Sequence, residues 1–177
     1  METFAQPRQL VDNPRFDSDR KRALKKLLLN DVDAPIRGIV EGFARLPCCF
    51  TLQSCFGHFV HAEESAADNL EPLPAHDIGP VTYRIAYVAL CLQTSSSGER
   101  LLSALAKVPS IAPDFVQFGS PGWFWDRQVN SFALQVEPSR FAQLDQAVID
   151  HAEALQVQHI RDQFFATLSN IVNSLHN

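Results

Sequence analysis

The sequence predicts an α+β fold in one domain spanning residues 1–177, with a mixed, mostly antiparallel sheet covered by helices. Three observations carry this. The 177 residues, 46% of them apolar with thirteen Phe, suit one core of ordinary size. The apolar period changes from helical to strand-like after Pro47. SFALQVEP alternates Phe132, Leu134 and Val136 against Ser131, Ala133 and Gln135, the clearest strand pattern in the chain.

Residues 1–14 read as a flexible arm. Phe16, Ala23, Leu24, Leu27 and Leu28 then recur at helical spacing in a segment where Arg15 to Lys26 holds six basic and two acidic residues. The basic face, with Arg20, Lys21, Arg22, Lys25 and Lys26, is either a solvated surface or a surface for RNA phosphates. Asp33-Ala34-Pro35 opens a second helix whose Ile36, Ile39, Val40, Phe43 and Leu46 form a buried stripe, and Gly38 and Gly42 permit close backbone approach.

CCFTLQS and HFVHA follow as two short strands. The segment 63–80 is an acidic loop: Glu63 to Asp77 holds five acidic residues and no Lys or Arg, with Pro72 and Pro74. Val81 to Gln93, rich in β-branched and aromatic residues, is expected to be one long central strand. Ser96 and Glu99 suggest a capping box before a helix burying Leu101, Leu102 and Leu105. FVQFG is a short strand. Pro138 is expected to open a helix carrying Phe141, Leu144 and Val148, and Ile160, Phe164, Leu168, Ile171 and Leu175 mark the final helix.

The net charge of −5 disfavours a strongly basic nucleic-acid binder while leaving room for a local patch. The four cysteines form no CxxC pair, which suits reduced thiols in the cytoplasm. No stretch approaches the ~18–20 apolar residues that span a bilayer.

The chemistry concentrates in LQSCFGHFV. With Phe56 and Gly57 as a two-residue hairpin loop, Cys55 and His58 become opposed neighbours with Cβ atoms roughly 4.5–5.5 Å apart. A thiolate–imidazole pair is one reading. Zinc on Cys55, His58 and His61 is another, but alternation puts His61 on the other face, and no metal is expected. A tight turn, with Gly57 at positive φ and Cys55 as a small hydrophobe, is the third. A second cluster, SPGWFWDRQ, offers Trp123, Trp125 and Arg127, which suit stacking on a flat base or equally packing between elements.

RFDSDRKRALKKL, a second helix and then FTLQSCFGHF together resemble the start of the tRNA wybutosine-synthesizing protein 3 family. There a basic helix precedes a second helix and a strand ending in Thr-Thr-Ser-Ser-Cys-Ser-Gly-Arg. Ser54, Cys55 and Gly57 stand at matching positions. Gln53 and Phe56 replace serines, and His58 replaces the arginine. The resemblance, over roughly the first 60 residues, implies S-adenosylmethionine-dependent methyl transfer to a tricyclic guanosine in phenylalanine tRNA. It places the cofactor near Ser54, Cys55, Gly57 and His58, with tRNA along the basic first helix. No Gly-rich dinucleotide fingerprint accompanies it, which disfavours a doubly wound methyltransferase. A noncatalytic ligand- or partner-binding protein retaining the fold is the alternative.

Overall fold

A computed structural model describes residues 6–61, 69–141 and 144–176. Helix α1 (Phe16–Lys26) lays Phe16 against Phe50, ring centroids 5.6 Å apart. After a 3-10 turn at Ala34–Ile36, α2 (Arg37–Arg45) buries Ile39, Val40 and Phe43, the stripe its spacing predicts. Strand β1 (Cys49–Cys55) follows, then β2 (His58–Val60), β3 (Val81–Arg84) and β4 (Ala86–Leu92). Helix α3 (Ser96–Leu105), β5 (Val116–Gly119), a single turn α4 (Gly122–Trp125), β6 (Ser131–Val136), β7 (Gln146–Ile149) and α5 (His151–His176) complete the chain. The fold class is α+β, and all strand pairs are antiparallel.

The strands fall into two sheets, ordered β1-β4-β6-β5 and β2-β3-β7. This overturns the hairpin expected at Phe56–Gly57. Strand β1 pairs with β4, bringing Cys55 opposite Tyr87, and β2 pairs with β3, bringing His58 opposite Arg84. The expected long strand Val81 to Gln93 breaks at Ile85, so the β1–β2 and β3–β4 segments both pass from one sheet to the other at the same place. Gly57 allows the step: its φ is +87°, and a Cβ there would lie 2.8 Å from Ala86 Cβ.

The helix expected after Pro138 is also corrected. Only a 3-10 turn forms at Ser139–Phe141, and Val148 lies in β7, where Ala147 and Ile149 point inward and Gln146 and Val148 outward. Leu144 and Val148 are exposed. The α3 cap lies one residue earlier than expected: the Ser95 hydroxyl accepts the Gly98 N–H, and Ser96 begins the helix.

Helix α5 is the spine of the core. Its Ala154, Val157, Ile160, Phe164, Leu168 and Val172 recur every three or four residues and are buried. Gly42 brings α2 onto it so closely that a Cβ would meet Val172 Cγ1 at 2.3 Å, whereas Gly38 has nothing within 4 Å. Ser131–Val136 is buried along its whole length, because its second face is covered as well.

Two segments expected to be loose are tied down. In the arm, the Arg8 N–H donates to Ser120 Oγ, and Val11 exchanges two hydrogen bonds of 2.8 Å with the buried Asn130 side chain. Residues 62–68 of the acidic region lie outside the described part. Beyond them Leu73 is buried, its N–H donates to Gln158 Oε1, and His151 Nε2 bonds the Pro74 carbonyl. Among the described residues no helix is long and apolar enough to cross a membrane.

Glu137 is fully buried, with one carboxylate oxygen bonded by Gln135 and Oε2 without a partner among the described residues. Burial first, opposed by the Gln135 bond and reinforced by Asp145, pushes its pKa up from 4.5 to about 8. A carboxyl whose folded-state pKa is raised stabilises the fold fully below its unfolded value and loses that contribution as pH rises through about 8. Glu137→Gln is therefore expected to match the parent near pH 4 and to exceed it by several kcal/mol, at most about 5, near pH 9. Urea unfolding at the two pH values checks this; a constant difference would contradict it.

Candidate functional site

The sheet switch divides LQSCFGHFV between two environments. In the first, Asp33, placed just before the 3-10 turn that leads into α2, reaches the switch. Its Oδ2 accepts the Phe56 N–H at 2.7 Å and lies 3.5 Å from His58 Nε2. Cys55 Sγ accepts the Gly57 N–H at 3.4 Å. His58 is buried, and its Nδ1 faces the Asn69 carbonyl at 3.4 Å. Burial first, and the Asp33 carboxylate further down, push the Cys55 thiol up, with the Gly57 N–H opposing. That is the wrong direction for an activated nucleophile. Arg161 of α5 holds the switch from beneath: Nη1 donates to the Gly57 carbonyl at 3.1 Å, and the guanidinium stacks 3.9 Å from the Phe56 ring.

The second environment is a groove of about 480 Å³ where the end of α1 and the segment after it meet β1, the edge strand of its sheet. Lys26, Leu28, Asp31, Thr51, Gln53, Ser54 and Tyr87 line it. The register of β1 slips between Thr51 and Gln53, a bulge with Leu52 as the extra residue. In a regular strand Gln53 and Ser54 would face opposite ways. Because β1 is an edge strand with the groove along its open side, Thr51, Gln53 and Ser54 all border it despite that alternation. The Tyr87 hydroxyl donates to Gln53 Oε1 at 3.2 Å. Thr51 Oγ1 is buried with no partner among the described residues.

Of the expected cofactor-binding residues, the structure thus puts Ser54 on the groove, and Cys55, Gly57 and His58 at the switch beside it. Tyr87 connects the two, lining the groove and standing opposite Cys55 across the ladder. Trp123, Trp125 and Arg127 do not join them. They follow β5, whose Gly119 pairs with Ala133, toward the sheet end where Ser131 meets Cys91, away from the end where Cys55 meets Tyr87. Arg127 stacks on Trp123 at 4.1 Å and donates to its carbonyl, while Trp125 packs edge-on against Phe132 and beneath Arg8.

The basic face of α1 is smaller than its sequence suggests. Arg20 turns inward: Nε donates to the Cys49 carbonyl at 3.0 Å, and Nη2 to Ala44 at 2.8 Å and Leu46 at 3.1 Å, satisfying carbonyls around the α2–β1 turn. Arg22 pairs with the buried Asp19. Lys21, Lys25 and Lys26 remain on the exposed surface, Lys26 at the groove.

Sequence reasoning missed Asp33, Tyr87 and Arg161 as members of this region. Arg161 left a signal: a guanidinium one residue after Ile160 and three before Phe164, on the apolar stripe of α5, needs buried acceptors or rings. Asp33 left none beyond its place before a helix.

No family model and no curated protein matches the chain. Among solved structures, the PH1069 protein from Pyrococcus horikoshii is similar with a TM-score of 0.50 and 13% identity, over 91% of this chain and 96% of that one. The two share a fold. At that identity the likeness extends to the fold alone. A hypothetical protein from Aeropyrum pernix matches with a TM-score of 0.42 and 10% identity, over 81% of this chain and 96% of that one.

Proposed function

We propose that the groove beside β1 binds S-adenosylmethionine and that the chain is a methyltransferase acting on a nucleoside in tRNA, the activity its resemblance to the wybutosine proteins implies. The observation that carries this reading is the convergence of Lys26, Asp31, Gln53, Ser54 and Tyr87 on one groove beside the edge strand β1. The volume of about 480 Å³ lies within the size range of small-molecule sites.

The residues fit such a ligand. Lys26 suits its carboxylate, Asp31 its ribose hydroxyls or ammonium group, and the Tyr87 ring a flat adenine; Ser54 and Gln53 add short-range hydrogen bonds. The bound cofactor supplies an electrophilic methyl group on a sulfonium. The protein's contribution is position, which alone is worth several orders of magnitude, and no covalent nucleophile is needed. The unactivated Cys55 agrees with that division of labour. Lys21, Lys25 and Lys26 form a short basic strip for RNA phosphates.

One observation favours the alternative, a noncatalytic binding protein. His58, at the position of the family's arginine, is turned into the fold against Asp33 rather than toward the groove.

Calorimetric titration with S-adenosylmethionine and S-adenosylhomocysteine tests the reading. Saturable binding is expected, weakened about tenfold or more in Tyr87→Leu, since losing ring stacking costs roughly 1–3 kcal/mol. Addition of labelled cofactor and unmodified tRNA then separates enzyme from binder. Absence of binding by folded protein removes the methyltransferase reading.

A further inference from the structure

We propose that Asp33, Cys55 and His58 form a binding site for a divalent transition-metal ion of the zinc type. Each residue offers one ligand atom, and these atoms all lie within 4.8 Å of one another. The three come from separate places: the residue before the α2 turn, the end of β1 and the start of β2. The sheet switch at Phe56–Gly57 brings them together. Carboxylate, thiolate and imidazole are zinc's ordinary ligands, and three protein ligands leave a fourth tetrahedral position for solvent or a small ligand. The set differs from the Cys55, His58 and His61 combination that the sequence suggests, because Asp33 takes the place of His61.

The orientation of His58 is the most specific part. With Nδ1–H directed at the Asn69 carbonyl, the Nε2 lone pair faces Asp33 Oδ2 at 3.5 Å. A lone pair and a carboxylate oxygen repel unless a proton or a cation lies between them. A backbone carbonyl holding one imidazole nitrogen while the other meets the ion is the usual outer arrangement of a metal-bound histidine. The other ligands are fixed in the same manner: the Phe56 N–H holds Asp33 and the Gly57 N–H holds Cys55. Arg84, opposite His58 on β3, is the cation whose charge acts on Cys55. A protonated His58 paired with Asp33 is the competing arrangement.

Cobalt(II) distinguishes them. Tag-free protein stripped with a chelator is titrated with Co²⁺ in the absence of any nucleoside. The site predicts a near-ultraviolet thiolate charge-transfer band with visible bands of tetrahedral intensity, all displaced by one equivalent of Zn²⁺. Cys55→Ser should abolish the charge-transfer band, and Asp33→Asn and His58→Gln should each weaken Co²⁺ binding at least about tenfold. Circular dichroism and unfolding midpoints identify any variant that fails to fold, and Cys91→Ala, which leaves the three ligands intact, should keep the band. No charge-transfer band in the parent protein, or a band that survives in folded Cys55→Ser, overturns the site. Neither result bears on cofactor binding in the groove, which the titration does not involve.

Discussion

Replacing Gly57 by alanine is expected to cost the fold about 3 kcal/mol, from a left-handed backbone at roughly 1–2 kcal/mol and a steric term of similar size. The residue sits at φ +87°, and its new Cβ would meet Ala86 Cβ at 2.8 Å, Ala86 N at 3.0 Å and Ala86 Cα at 3.1 Å. Two of those three atoms are backbone, in the residue that begins β4, so relief requires the two sheets to part. Tyr83 resists that movement. It is fully buried, its hydroxyl donates to the Val136 carbonyl at 2.7 Å, and its oxygen accepts the Ala86 N–H at 2.9 Å. Urea unfolding measures the loss. A change below about 0.5 kcal/mol, the scale of an ordinary surface substitution, would mean that the switch is not built as described.

The second large effect is expected at Arg161. Truncation to alanine should cost roughly 3 kcal/mol, because it leaves the Gly57 carbonyl without its donor and opens a void beneath two rings. The residue is 4% exposed, its guanidinium stacks on Phe56 at 3.9 Å and lies 5.2 Å from the Phe59 ring, and its Nε and Nη2 hold Asp162 Oδ1 at 3.0 and 2.9 Å. Lysine keeps the charge and loses the plane, so Arg161→Lys should recover little. Arg161→Met should recover the packing part alone. Equal stability of the lysine variant and the parent would show that charge, rather than stacking and the Gly57 bond, is what the position needs.

These two residues also mark what the sequence could tell. Wherever one face of an element is buried, its period is visible: the α2 stripe, the alternation of β6 and the apolar face of α5 are all legible. Strand β7 was not, because Phe141, Leu144 and Val148 imitate helical spacing while Ala147 and Ile149, the residues that actually point inward, are only two apart. Phe56–Gly57 has the length of a hairpin loop, and nothing local reveals that β1 finds its partner in β4, some thirty residues later in the chain. Arg20 looks like part of a solvated basic face until the carbonyls of Ala44, Leu46 and Cys49 are brought to it. The site was legible to the same degree. Ser54, Cys55 and His58 stand out by residue type, but the groove depends on how the end of α1 lies beside β1 and on Tyr87, and the metal cluster on Asp33. Those are tertiary facts.

Hydrogen exchange with and without saturating S-adenosylhomocysteine reads out whether the groove between α1 and β1 holds the adenosyl ligand. Slowed exchange is expected in peptides covering Lys26 to Val32 and Thr51 to Ser54, with no change at Trp123 to Arg127. Saturable binding that protects the tryptophan segment and leaves both groove peptides unchanged would contradict the account.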